Sequence, residues 1–216
     1  MSSRRPPTAQ EFVLGELRAM IVRGELKAAE QIKQDALAEQ LGTSRVPLRE
    51  ALKILEGEGL VSYHPHRGYF VAELSAADLV EVYRIRQLLE DEAVATAIPR
   101  LTDADIEALQ RAMSEVEKAG ESGDIAEVTA CNRRFHFLLI EKADLPRLTR
   151  LIRQLWDSTD AYRAVYFAEP DNLHQVQAEH RQILDAIRER DVPRTIALLS
   201  THRDHAVQRV STVLGD

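Results

Sequence analysis

Four side chains able to coordinate a metal fall where a helix should bury hydrocarbon. Asn132 and His136 stand one turn apart on a stripe with Ile125, Val128, Phe135, Leu139 and Ala143, the period of a buried helical face. His180 interrupts Val176, Ile183, Leu184 and Ile187, and His202 interrupts Ile196, Leu199, Ala206 and Val210. Three imidazoles and an amide therefore face one interior from three helices. Left unpartnered there, each would be destabilising by roughly 1–3 kcal/mol. Either internal hydrogen bonds satisfy the rings, or the set converges on a divalent transition metal. Nitrogen donors favour zinc, with nickel as the alternative, over calcium or magnesium.

Arg86 raises the same question on the stripe Leu79, Val82, Leu89 and Ala93. A guanidinium aimed inward wants a carboxylate, which is either Glu90 one turn on or that of a ligand. Tyr162, on another apolar stripe, is a candidate to line the same pocket. His174 and His205 lie outside the set, His174 off its apolar stripe and His205 as a surface or supporting residue.

A second chemistry lies nearer the N-terminus. Arg45, Arg49 and Lys53 recur every four residues on one side of a helix whose other side is Leu48, Ala51, Leu52 and Leu55. Ser44 precedes it as a helix N-cap and Pro47 falls in its first turn, where a missing backbone donor does little harm. Before that cap, Gly42 ends a shorter helix containing Ala38 and Leu41. Two short helices joined at a glycine corner, the second with arginines at its start, are the arrangement that places a helix in the DNA major groove. Residues 60–63 and 69–71 then read as a hairpin with His64, Pro65, His66, Arg67 and Gly68 between. Its basic tip suits the sugar-phosphate backbone or minor groove.

These groups need two kinds of scaffold. Beyond residue 72 the pattern is helical throughout, with six helices expected over 76–97, 103–121, 124–143, 145–168, 172–190 and 193–213. Ser75 with Asp78 and Thr102 with Asp105 look like helix starts. Connections this short make neighbours antiparallel, so this part is a helical bundle. The fold class expected is mainly α: a winged helix-turn-helix over 9–72, then an all-α antiparallel bundle over 73–216, with residues 1–8 a mobile tail. Over the 216 residues the formal net charge is −7, unusual for a nucleic-acid binder. Residues 1–72 hold ten Lys/Arg against nine Asp/Glu, which leaves 18 against 26 for the remainder. The acidity belongs to the bundle, and local contacts must hold the DNA. The single Cys131 excludes an intramolecular disulfide and fits a reducing cytoplasm. Apolar runs such as 137–140 are far too short to span a bilayer.

LAEQLGTSRVPLREALKILEGEGLV followed by HRGYFVAEL resembles the winged helix-turn-helix of GntR-type bacterial transcription regulators, over about residues 10–74. The resemblance implies that Arg45, Arg49 and His66 to Gly68 contact operator DNA. In those regulators the helix before the turn often carries a base-contacting arginine. Here Asp35 stands in that place, with Gln34 or Lys33 left for phosphate. NRRFH, EHRQILDAIRERD and STHRDH resemble the FCD ligand-binding domain of the FadR-type branch, in its shorter VanR-like form, over about residues 76–212. In its metal-binding members the ligands match Asn132, His136, His180 and His202, with Asp where this chain has Asn. The resemblance therefore implies a homodimeric, non-enzymatic DNA-binding repressor. Its affinity for a palindromic operator would respond to a small carboxylic acid held by the metal and Arg86. Two other readings stay open: a constitutive DNA-binding dimer with a metal-free bundle, and a metal-dependent hydrolase.

Overall fold

The computed structural model describes residues 8–73, 75–167 and 169–214; most of the tail expected over 1–8 lies outside them. The chain divides into two compact units, Met1–Glu73 and Leu74–Asp216.

The first unit opens with α1 (Ala9–Val22), which the sequence reading did not assign. Thr8 and Glu11 close a reciprocal capping box at its start. Next come α2 (Gln34–Gln40) and α3 (Arg45–Gly57), then β1 (Val61–His64) and β2 (Gly68–Val71), paired antiparallel with Val61 opposite Val71 and His64 opposite Gly68. Gly42 takes φ +60°, the left-handed conformation that ends α2 at little steric penalty. Leu48, Ala51, Leu52 and Leu55 are buried against Val13, Leu17 and Leu37, so α3 turns its charged side out. Residues 29–32 add a third line to the hairpin, with Ile32 N–H donating to Tyr69 O at 2.8 Å and Val71 N–H to Glu30 O at 2.9 Å. This pairing stiffens the wing from its inner edge.

In the second unit α4 (Ala76–Ala97), α5 (Asp103–Ser122), α6 (Ile125–Ile140), α7 (Pro146–Ser158), α8 (Asp160–Phe167), α9 (Pro170–Arg188) and α10 (Val192–Leu214) follow in order. Thr102 and Asp105 form the capping box of α5, and Ser75 caps α4. α5 packs on α6 and α9, and α10 packs on α4 and α9. Two boundaries differ from expectation. Residues 141–143 form a 3-10 turn instead of extending α6. The single helix expected over 145–168 breaks at Thr159, giving seven helices among the described residues where six were expected. The cause is visible at Trp156: its carbonyl accepts from Thr159 N–H at 3.1 Å, and also from the Arg163 guanidinium. A tight turn and a side chain have taken the acceptor that a continuing α-helix would give to Asp160.

Candidate functional site

In the first unit Arg45, Arg49 and Lys53 are exposed along α3 and share a groove with His66, Arg67 and Gly68 of the wing. Ser44 occupies the N-cap position, yet its hydroxyl makes no capping hydrogen bond, so it remains available to a phosphate. His66 sits at the tip with φ +64°, and Gly68 follows with φ +87°. That positive φ is the reason for glycine there, since a Cβ would meet only Gln34 Nε2 at 3.9 Å. Arg67 lies over the Phe70 ring, 5.0 Å from its centroid. Asp35, on the groove's other wall, ion-pairs with Arg45 through Nε. Both side chains of the pair are largely exposed. Asp35 stands out in the sequence as a departure from the family pattern, but its pairing with Arg45 depends on how α2 packs beside α3.

In the second unit α6, α9 and α10 bring His136, His180 and His202 together, with their donor nitrogens within 4.8 Å of one another. The Nε2 atoms of His136 and His180 are 3.1 Å apart. Nitrogens bound to one zinc ion at tetrahedral angles lie roughly 3.4 Å apart, so little movement separates this cluster from a coordination shell. Asn132, one turn before His136, is buried, and its Oδ1 has no hydrogen-bond partner among the described residues. His136 and His180 are held well below the usual imidazole range, first by burial and then by neighbouring histidines. Neutral rings are the form that binds metal. The donor set therefore fits a divalent transition ion.

Glu179, which the sequence reading passed over, supports this set from behind. It accepts from His202 Nδ1 and from His205 Nδ1, each at 2.6 Å. Burial raises the Glu179 carboxyl, but its bonds to His202 and then His205 bring it net below the usual range. A proton fixed on His202 Nδ1 leaves Nε2 as the free donor. We expect Glu179→Gln to weaken zinc binding about 10–100-fold, measured by competition with a chelating dye. An unchanged affinity would show that the carboxylate does not set the ring.

Beside the histidines lies a cavity that Asn132, His136 and His202 share with Arg86, Glu90 and Trp156. Its free space is about 30 Å³, enough for about two water molecules. Arg86 is committed internally: its Nε–H donates to Glu90 Oε1 at 2.9 Å. Glu90 also accepts from Trp156 Nε1–H at 2.7 Å and from Arg203 at 3.0 Å. Burial raises the Glu90 carboxyl, but Arg86 and then Arg203 outweigh it and keep the group ionised. Tyr162 does not line the cavity. Its hydroxyl lies 2.9 Å from Ser75 N and 3.2 Å from Asp78 Oδ2, at the start of α4, and burial pushes its pKa up to about 12. Tyr166, one turn later, takes the lining position together with Arg163 and Arg203. His174 is exposed and apart.

These two sites correspond to two matched families. Residues 9–71 match the family described as bacterial regulatory proteins, gntR family, and residues 81–205 match the FCD domain. The chain belongs to the GntR family, in its FCD-bearing, FadR-type branch. This GntR-family chain is 28% identical over 202 residues to the uncharacterized HTH-type transcriptional regulator YdhC of Bacillus subtilis, covering 93% of this chain and 90% of that one. It is 26% identical over 194 residues to the HTH-type transcriptional repressor GlaR of Escherichia coli, covering 86% and 88%. The solved structure of E. coli McbR/YncC superposes with a TM-score of 0.85 at 27% identity, over 97% of this chain and 100% of that one. The GntR-family chain is thus a DNA-binding transcription regulator and not an enzyme, which removes the hydrolase reading. No described helix is long and apolar enough to cross a membrane.

Proposed function

We propose that this regulator is a cytoplasmic, homodimeric repressor that leaves a palindromic operator when a small carboxylic acid binds the FCD unit at a zinc or nickel ion held by Asn132, His136, His180 and His202. The observation that carries the sensor half is the convergence of three imidazoles, His136 and His180 buried and held well below the usual imidazole range, beside an orphaned amide oxygen. A bound ion would supply an undiminished positive charge to a carboxylate, since none of the four ligands is anionic. The cavity has so little free space that an acid must displace lining side chains. Helices that shift on binding can in turn bias the spacing of the two recognition helices of a dimer. The name of GlaR supports the repressor assignment.

The DNA half rests on Arg45, Arg49, Lys53 and Ser44 along α3 and His66, Arg67 and Gly68 on the wing. We expect Arg49→Ala to lose about 1–3 kcal/mol of operator binding if the side chain reads a base edge, checked by fluorescence anisotropy on the cognate duplex and a scrambled one. Equal loss on both duplexes would reassign Arg49 to phosphate. The decisive test of the whole reading is whether zinc-loaded protein releases its operator when organic acids are titrated in.

Dimerisation is supported by α4, whose Val80, Ile85 and Leu88 are exposed, Leu88 to 71%. About a two-fold axis at Leu88, Arg84 of one copy faces Glu92 of the other, which makes the stripe self-complementary. Leu88→Lys is expected to shift the protein to monomers at micromolar concentration, read by sedimentation; an unchanged dimer would place the interface elsewhere.

One observation favours a constitutive, metal-free dimer as a second reading. The His136–His180 contact can itself be a hydrogen bond that satisfies both Nε2 atoms. It leaves Asn132 Oδ1 and His180 Nδ1 without partners, and elemental analysis of the purified protein separates the two readings.

A further inference from the structure

Five buried side-chain polar atoms lack a hydrogen-bond partner among the described residues: Asn132 Oδ1, Arg163 Nε, Tyr166 OH, His180 Nδ1 and Arg203 Nε. Four of the five residues line one cavity. Buried polar groups are normally satisfied, so orphans gathered on one wall describe what the wall is shaped to hold. They fall into two chemical poles. Asn132 Oδ1 belongs with the histidines. Arg163 Nε–H and Arg203 Nε–H are donors on groups that stay protonated at any physiological pH. Burial holds the Tyr166 hydroxyl well above its usual range, so it too keeps its proton.

The remaining arms of these guanidiniums are already engaged, which fixes where the free N–H groups sit. Arg203 donates to Glu90 at 3.0 Å and to Asp91 at 2.7 Å. Arg163 donates to Thr159 Oγ1 at 2.6 Å, pairs with Asp160, and lies over the Trp156 ring at 4.4 Å. Arg163 and Tyr166 of α8, which begins just past the break at Thr159, line the cavity together with Arg203 of α10. Three arginines and a single glutamate line the space.

Resting on the carboxylic-acid reading above, we infer that the effector is a short acid with an oxyanion at each end: one carboxylate goes to the Asn132–histidine pole, the other to Arg163 Nε–H, Arg203 Nε–H and Tyr166 O–H. The second pole offers three unpartnered donors, two of them on guanidiniums, which suits a carboxylate and disfavours an ammonium. The free space being small, seating the acid parts α8 from α10. The movement that admits the ligand is then the movement that reports it.

Calorimetric titration of zinc-loaded and metal-free protein with acetate, propionate, malonate and succinate tests this. A dicarboxylate is expected to bind at least tenfold more tightly than the monocarboxylates in both forms. Tyr166→Phe, which removes one donor and little volume, should reduce that advantage severalfold while leaving acetate binding unchanged. Trp156, the only tryptophan in the chain, reports from the cavity wall that the variant is folded. Equal affinity for mono- and dicarboxylates would overturn the second pole and leave the carboxylic-acid sensor standing. Binding of none of the acids, with no release of operator DNA, would overturn both and assign the orphans to buried water.

Discussion

Replacing Glu90 by alanine is expected to destabilise the helical unit by about 3–5 kcal/mol, because it strands the buried Arg86 guanidinium and leaves buried Arg203 with Asp91 alone. Arg86 and Arg203 converge on the two oxygens of this carboxylate from α4 and α10, and Trp156 from α7 completes its shell. All three side chains are almost entirely shielded from water. Removing the acid deletes the attraction but not the charges, and neither guanidinium can escape by losing its proton. Glu90→Gln keeps the volume and one acceptor oxygen and should fall between alanine and wild type. Urea unfolding followed by Trp156 emission isolates this unit, since no tryptophan lies elsewhere in the chain. A loss below about 1 kcal/mol for the alanine variant would mean the arginines reach solvent by a small rearrangement, and the tripartite contact would not be what ties α4, α7 and α10 together.

Zinc is expected to raise the midpoint of that same transition, and His180→Ala is expected to abolish the rise. At free ion a thousand times its dissociation constant the gain is about 4 kcal/mol. His180 is wholly buried with Phe135 stacked on it at 4.6 Å, so no surface residue can replace it as a ligand. Asn132→Asp supplies the opposite sign. A carboxylate beside the three imidazoles should tighten zinc at least tenfold, while making the metal-free protein less stable through a buried charge. If zinc leaves the wild type unmoved and the Asp variant is no tighter, the cluster is a packed set of imidazoles and the constitutive reading takes over.

Much of this was legible before any coordinates. Gly42, the stripe of Leu48 to Leu55 and the arginines opposite it announce a corner and a recognition helix, because glycine conformation and helical period are local properties. His136, His180 and His202 were legible for a related reason: each is a polar residue on a stripe that should be apolar. What escaped was whatever depends on contacts between distant segments. Arg203 follows His202 by one residue and reads as its solvent side, yet the crossing of α4 and α10 buries it. Glu179 precedes His180 and looks like an ordinary surface acid until His202 and His205 arrive from another helix. Tyr162 and Tyr166 share a helical face, and period alone cannot choose between them; the break at Thr159 sends one to Ser75 and the other to the cavity. Residues 29–32 have no strand-like alternation and pair only because β2 presents them an edge.

The Asp35–Arg45 pair has a bearing on how such a reading head would search a genome. A guanidinium that already holds a carboxylate has little to gain from one more phosphate, and the acid repels the approaching backbone. A guanine edge offers two acceptors to the outer fork while the Nε contact survives. An arginine so paired, if it reaches the duplex, would be weakly attracted to arbitrary sequence and strongly to the right one. A chain carrying seven excess negative charges overall would spend less time trapped at wrong addresses and depend correspondingly more on finding the correct one.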